Sequence, residues 1–275
     1  MTLSGGGDFP ASLLLVGAGR MGSALLKGWL NLGLHPAGVH VLDPAPSAEV
    51  QAFCAAWGVA MGAPASAPEV LVLAIKPQSL AGAAPMLAPL AGPRTLVVSI
   101  LAGKTLKTIA DHLPGAAAII RAMPNLPAAI GAGITGAVAN AAVTPAQRQT
   151  AQALLAAAGH VEWLDDEGLI DAVTAVSGSG PAYVFYLAEC LAEAGVAQGL
   201  PPGVAERLAR ATIEGAGAML AAVPEAAAAK LRADVTSPGG TTEAALAELK
   251  GDDALGKLIG CAVAAARRRA QQLSD

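Results

Sequence analysis

Hydrophobic and polar positions change their rhythm along this chain. Up to about residue 163, short apolar runs alternate with longer amphipathic segments. The runs SLLLVG (12–17), VHVLD (39–43), VLVLAI (70–75), TLVVSI (95–100), AAIIR (117–121), ITGAVA (134–139) and HVEWL (160–164) read as strands. Between them, MGSALLKGWLNLG, SAEVQAFCAAWG and PAQRQTAQALLAAAG read as helices. Nearly unbroken apolar strands separated by helices predict a mostly parallel sheet covered on both faces. From about residue 165 the strand signal stops. YVFYLAECLAEAGVAQ, GVAERLARATIEGAGAMLAA, PEAAAAKLRADV, TEAALAELK and ALGKLIGCAVAAARRRAQQ all read as helices. The predicted fold class is α/β, with a mostly parallel sheet domain at 1–164. An all-helical domain follows at 165–275.

Composition narrows the function classes. Hydrophobic residues make up 54% of the chain and aromatics only 3%, so much of the apolar content is alanine suited to close helix packing. No run approaches the roughly 20 apolar residues of a membrane span. The first residues, MTLSGGGDFP, lack a basic n-region, and LLLV is too short for a signal core. The expectation is a soluble, cytoplasmic protein that binds no membrane. A net charge of −4 without a basic stripe argues against nucleic acid. The one cationic run, Arg267 to Arg269, reads as a solvated helix end matched to the helix dipole. Cys54, Cys190 and Cys261 are scattered, as are His35, His40, His112 and His160. No metal site is expected from such spacing. No Ser/His/Asp order stands out either, which leaves the hard chemistry to a bound cofactor.

The cofactor motif is VGAGRMG. Gly17, Gly19 and Gly22 have G-x-G-x-x-G spacing, follow a strand and open a helix. Gly17 permits the tight turn, Gly19 admits a pyrophosphate, and Gly22 brings helix and strand together. Ala18, Arg20 and Met21 complete the loop, whose helix N-terminus offers free N–H groups. The next strand ends at Asp43, 21 residues after Gly22, where an acid bonds the ribose hydroxyls of NAD and repels the extra phosphate of NADP. Farther along the same sheet edge stand Ala74, Lys76 and Pro77 of AIKP, Ala102 of SILAG (99–103), and RAMPN (121–125). Lys76 faces ribose or phosphate on one reading and solvent on the other. Pro124 and Asn125 form a turn that either walls the nicotinamide or is purely structural.

Two further stretches stand out. SGSGP (177–181) precedes a long helix; capping accounts for Ser179 and Pro181 but does not require Ser177 and Gly178. DVTSPGGTT (234–242) puts Gly239 and Gly240 ahead of a helix that begins with Thr241 and Thr242, with Glu243 in its first turn. Such an N-terminus suits a carboxylate. An ordinary capped turn is the other reading.

VGAGRMG, AIKP, VVSILAG, IIRAMPN, AVSGSGPAYVF and DVTSPGGTT, in that order from about residue 14 to 250, together resemble the pyrroline-5-carboxylate reductase family. DVTSPGGTTEAALAEL is the most specific piece. The resemblance implies reduction of a small cyclic imine carboxylate to L-proline, with NADPH or NADH as hydride donor. It implies a dinucleotide-binding Rossmann domain at 1–164 and a homodimer through the helical domain at 165–275, with larger rings of dimers in some members. It places the substrate carboxylate on the backbone of Gly239, Gly240, Thr241 and Thr242, and the ring nitrogen near the Thr242 hydroxyl. It places Glu167 near the substrate, a helix N-terminal acid favoured by the dipole being the other reading, and Asp234 near the neighbouring subunit's cofactor; Ser177, beyond what capping requires, is a further candidate substrate contact. One departure is VLDP (41–44): many members prefer NADPH and end this strand in small or basic residues. Whether Asp43 faces the ribose or is turned aside by Pro44 decides that preference. Two rivals remain at this stage. One is a β-hydroxyacid dehydrogenase or imine reductase on the same architecture, of which the dehydrogenase would need a lysine that the helix after SGSGP lacks. A dinucleotide sensor without turnover would be expected to carry a decayed TSPGGTT.

Overall fold

A computed structural model of the chain describes residues 9–274. Contacts group it into two units: residues up to 178 together with those from 266 onward, and residues 179–265. The sequence suggests one boundary between 164 and 165. In the structure the first unit runs on to 178 and takes the chain back at 266.

In the first unit, eight strands among the described residues form one sheet. They are β1 (Leu13–Val16), β2 (Val39–Leu42), β3 (Ala60–Met61), β4 (Val70–Leu73), β5 (Leu96–Ser99), β6 (Ala118–Pro124), β7 (Gly133–Ala139) and β8 (Gly159–Trp163). The order is β3-β2-β1-β4-β5-β6-β7-β8. All pairs are parallel except β6 with β7. The link between those two, residues 125–132, is too short for a parallel crossover, so the chain turns back antiparallel. β3 has two residues and carries no periodicity of its own, and the apolar pattern does not reveal it.

Alternate residues of each central strand feed opposite cores. Leu13, Leu15, Val70, Val72, Leu96 and Val98 pack on one face. Leu14, Val16, Leu71, Leu73 and Val97 pack on the other. The first face is covered by α1 (Arg20–Asn31), α2 (Ala48–Trp57) and α5 (Pro145–Ala156). The second is covered by α3 (Leu80–Leu87) and α4 (Leu106–His112). Gly22, Leu25, Leu26, Trp29 and Leu30 form the buried stripe of α1 at helical spacing. Trp29 Nε1 donates to the Leu154 carbonyl at 2.7 Å, so the largest core side chain also satisfies its polar atom.

After β8 the chain forms α6 (Ile170–Val173), packed on β7 where Gly136 leaves room for Val173. A π-helical turn at 174–178 and a bend at Ser179 lead to α7 (Gly180–Ala197). SGSGP opens α7, with Ser179 at the N-cap position and Pro181 in the first turn, but the Ser179 side chain makes no capping bond and its backbone angles are helical. Pro181 stands in the first turn of α7, where a missing N–H costs the helix little.

The second unit holds most of α7, then α8 (Pro202–Ala222), α9 (Ala228–Asp234), α10 (Thr241–Lys250) and most of α11 (Ala254–Leu273). Of these, only α8 buries residues, Ala205 and Ala209. Val184, Phe185, Tyr186 and Leu187 on α7 are exposed in the single chain. A helical unit with so little core of its own needs a partner surface to be stable.

Candidate active site

β1 lies between β2 and β4, so the strand order reverses direction at its C-terminal end. Open α/β sheets bind ligands in the crevice at such a switch point. The glycines of VGAGRMG stand there, each under a different constraint. Gly17 has φ +92° and a Cβ on it would lie 2.7 Å from the Ala74 carbonyl oxygen, beyond the end of β4. Gly22, in the first turn of α1, would put a Cβ 2.2 Å from the Gly17 carbonyl oxygen. Around Gly19 nothing lies within 4 Å of the same position. Gly17 and Gly22 thus serve internal packing, while Gly19 leaves open space above the loop. No side chain caps α1, so its first N–H groups face that space. This cradle fits the pyrophosphate of a dinucleotide.

Asp43 follows β2 and turns toward the loop. Its Oδ2 accepts the Ala18 N–H at 2.7 Å and its Oδ1 accepts the Ala45 N–H at 2.9 Å. Pro44 does not turn it aside. Arg20 and Ala102 are exposed, Met21 half-buried. Ala74 donates its N–H to the Val16 carbonyl at 2.8 Å, tying β4 to β1 below the loop. Lys76 is exposed just ahead of Pro77, which opens a short 3-10 turn. Asn125 has a structural role, since its Oδ1 accepts the Ile134 N–H at 3.0 Å.

Glu167 belongs to the first unit and its carboxylate is occupied. Oε1 accepts the Leu106 N–H at 2.8 Å, at the start of α4, and the Arg121 guanidinium at 2.9 Å. Arg121 Nη2 also lies 3.9 Å from Asp171 Oδ1. Ser274 Oγ donates to the same Asp171 oxygen at 3.2 Å. Sequence reasoning overlooked Arg121. An arginine inside a strand of a sheet buried on both faces is the signal for it, since such a charge must be paired. Ser177 donates its hydroxyl to the Val173 carbonyl at 3.0 Å within the π turn.

In the second unit, TSPGGTT forms a turn that opens α10. Gly239 adopts φ +70° and donates its N–H to Glu243 Oε2 at 2.7 Å. The Gly240 N–H reaches the Ser237 carbonyl at 3.0 Å, and Thr236 Oγ1 donates to the Arg232 carbonyl at 2.6 Å. Both glycine N–H groups are therefore engaged within the turn. The uncapped first turn of α10, with Thr241 exposed and Thr242 half-buried, presents its remaining N–H groups. Glu243 had no assigned role from sequence, although its position three residues after Gly240 has capping-box spacing. Asp234 ends α9 and pairs with Lys230 one turn earlier. Among the described residues no cluster of His, Cys, Asp and Glu could hold a metal, and no helix is long and apolar enough to cross a membrane.

Comparison with known proteins agrees with this layout. A family model described as pyrroline-5-carboxylate reductase dimerisation matches residues 167–273. One described as NADP oxidoreductase, coenzyme F420-dependent, matches residues 12–103. The chain is 40% identical over 266 residues to a pyrroline-5-carboxylate reductase of Pseudomonas aeruginosa, covering 96% of this chain and 97% of that one. To the reductase of the same name from Synechocystis it is 47% identical over 211 residues, 76% of each chain. A solved pyrroline-5-carboxylate reductase from Coxiella burnetii superposes with a TM-score of 0.90 at 34% identity, covering 97% of this chain and 99% of that one.

Proposed function

The chain belongs to the pyrroline-5-carboxylate reductase family, and from that premise we propose how its residues share the work of reducing 1-pyrroline-5-carboxylate to L-proline, the last step of proline biosynthesis. The observation that carries the reading is a dinucleotide cradle at the β1/β4 switch point in a chain 40% identical to a named reductase over 96% of its length. The nicotinamide cofactor, NADPH or NADH, supplies the hydride when bound. Gly19 and the α1 N-terminus hold its pyrophosphate, and Ala74, Lys76, Pro77 and Ala102 border it along the sheet edge.

The substrate is a small imine with one carboxylate. The first turn of α10 suits that charge, and the Thr241 and Thr242 N–H groups receive it. Gly239 and Gly240 shape the turn, because their own N–H groups are engaged. The Thr242 hydroxyl orients the ring nitrogen. A protonated imine is already a good hydride acceptor, so no strong acid or base is required. Holding two reacting carbons in line can supply roughly 7–11 kcal/mol of a barrier.

Glu167 acts by fixing the start of α4, and with it the SILAG edge, through its bonds to Leu106 and Arg121. Ser177 sets the π turn that leads into α7. Asp234, exposed at the end of α9, faces a neighbouring subunit's cofactor. The active form is a homo-oligomer, in keeping with the matched dimerisation region and the exposed apolar face of α7. A ring of dimers and a cytoplasmic location extend the reading; three free cysteines suit a reducing compartment.

The test is oxidation of NADH and of NADPH by the purified protein with pyrroline-5-carboxylate. Cofactor oxidation with proline as product is the expected result. Binding of either cofactor without turnover on this imine would defeat the reading.

A further inference from the structure

We infer that Asp43 makes this enzyme select NADH over NADPH. The inference rests on the reading that the VGAGRMG loop binds a dinucleotide. It adds which dinucleotide, and which atoms choose.

The main chain fixes where the carboxylate stands. β2 runs parallel to β1, and the Gly17 N–H donates to the Leu42 carbonyl at 2.9 Å, so the residue after Leu42 stands beside the glycine loop. Asp43 is then held at both oxygens. Ala18 N–H lies 2.7 Å from Oδ2, and Ala45 N–H lies 2.9 Å from Oδ1. A carboxylate has about four acceptor positions, so one on each oxygen stays open. Two neighbouring acceptors at the rim of a pyrophosphate cradle match the vicinal hydroxyls of an adenosine ribose. The ordering of Asp43 by its own loop means that little further ordering is needed on binding.

A 2′-phosphate in that place meets a fixed like charge. A site that accepts one needs a cation to offset the carboxylate. The stretch that follows Asp43, Pro-Ala-Pro-Ser-Ala at 44–48, supplies none. Ser47 in it caps α2, accepting the Val50 N–H at 3.2 Å. On α1, Lys27 is paired with Glu49 at 2.7 Å. Arg20 is the other cation on α1. It opens the helix at the cradle's pyrophosphate end, where its charge serves both cofactors alike.

The test is titration of the full-length protein with NADH and with NADPH, without imine, reading the dissociation constants by calorimetry. NADH should bind at least about tenfold more tightly, the scale of a like-charge contact of a kcal/mol or more. Asp43→Ser should bring the two constants together by strengthening NADPH and weakening NADH. Equal or tighter binding of NADPH by the unaltered protein overturns the inference and leaves the reductase reading standing. An NADPH preference that disappears in Arg20→Ala also overturns it and gives the phosphate to Arg20. Binding of neither cofactor removes the dinucleotide reading and this inference together. If Asp43→Ser loses both cofactors because Ala18 and Ala45 lose their acceptor, the ratio for the unaltered protein still decides.

Discussion

Arg121 reaches Glu167 Oε1 at 2.9 Å from a position in the sheet where its own side chain is 5% exposed, and the same oxygen accepts the first N–H of α4. One carboxylate oxygen thus ties β6, α4 and the segment leading to α6. Removing one partner of a buried pair costs about 3–5 kcal/mol, and Glu167 retains some contact with water, so Arg121→Met should cost about 3 kcal/mol. Urea unfolding with an unchanged slope would measure it. A loss below about 1 kcal/mol would class the pair with ordinary surface bridges.

Two glycines of one motif should respond in opposite ways. Alanine at 22 would push its Cβ to 2.2 Å from the Gly17 carbonyl oxygen, while alanine at 19 meets nothing within 4 Å. Gly22→Ala should destabilise the fold by about 1–3 kcal/mol, the usual cost of overpacking. Gly19→Ala should leave the melting temperature unchanged and weaken dinucleotide binding. Thermal unfolding and cofactor titration on both variants separate the effects; a Gly19→Ala protein with normal affinity would move the pyrophosphate elsewhere.

Thr242 is half-buried in the first turn of α10. Thr242→Ala should lower kcat tenfold to a hundredfold, about 1.4–2.7 kcal/mol, with little change in stability. Glu243→Ala removes the acceptor for the Gly239 N–H and should act on KM instead, by loosening the turn. Unchanged kinetics for Thr242→Ala would take that hydroxyl out of the reaction.

Phe185 on α7 is 56% exposed in the single chain. Burying it against a second copy is worth about 1.5–3 kcal/mol per side chain. Phe185→Glu should therefore shift sedimentation from dimer or larger species toward monomer. A variant that keeps its mass would place this face outside the interface.

What the sequence made legible was local. The seven longer strands and the glycine cradle are written in runs of a few residues, and each appears where the apolar pattern puts it. The engagement of Glu167 was not legible, because its partner Arg121 is 46 positions away and only the sheet brings them together. SGSGP does open a helix with Pro181 in its first turn, but its residue types show neither the π turn that precedes it nor that the Ser179 side chain makes no capping bond. At TSPGGTT the turn was visible. The engagement of both glycine N–H groups inside it was not, because it depends on how the backbone closes on Ser237 and Glu243.

The last residues of the chain belong to the first unit. A Cβ on Gly103 would lie 2.4 Å from the Leu273 carbonyl oxygen, and Ser274 bonds Asp171. Synthesis runs from the N-terminus, and domains generally fold as they emerge. Here the sheet emerges early, but the loop beside Gly103 meets its final neighbour only after the whole helical unit has been synthesised. The closing piece of the cofactor domain follows the helical unit in sequence, so that domain cannot be complete before the helical unit has been made.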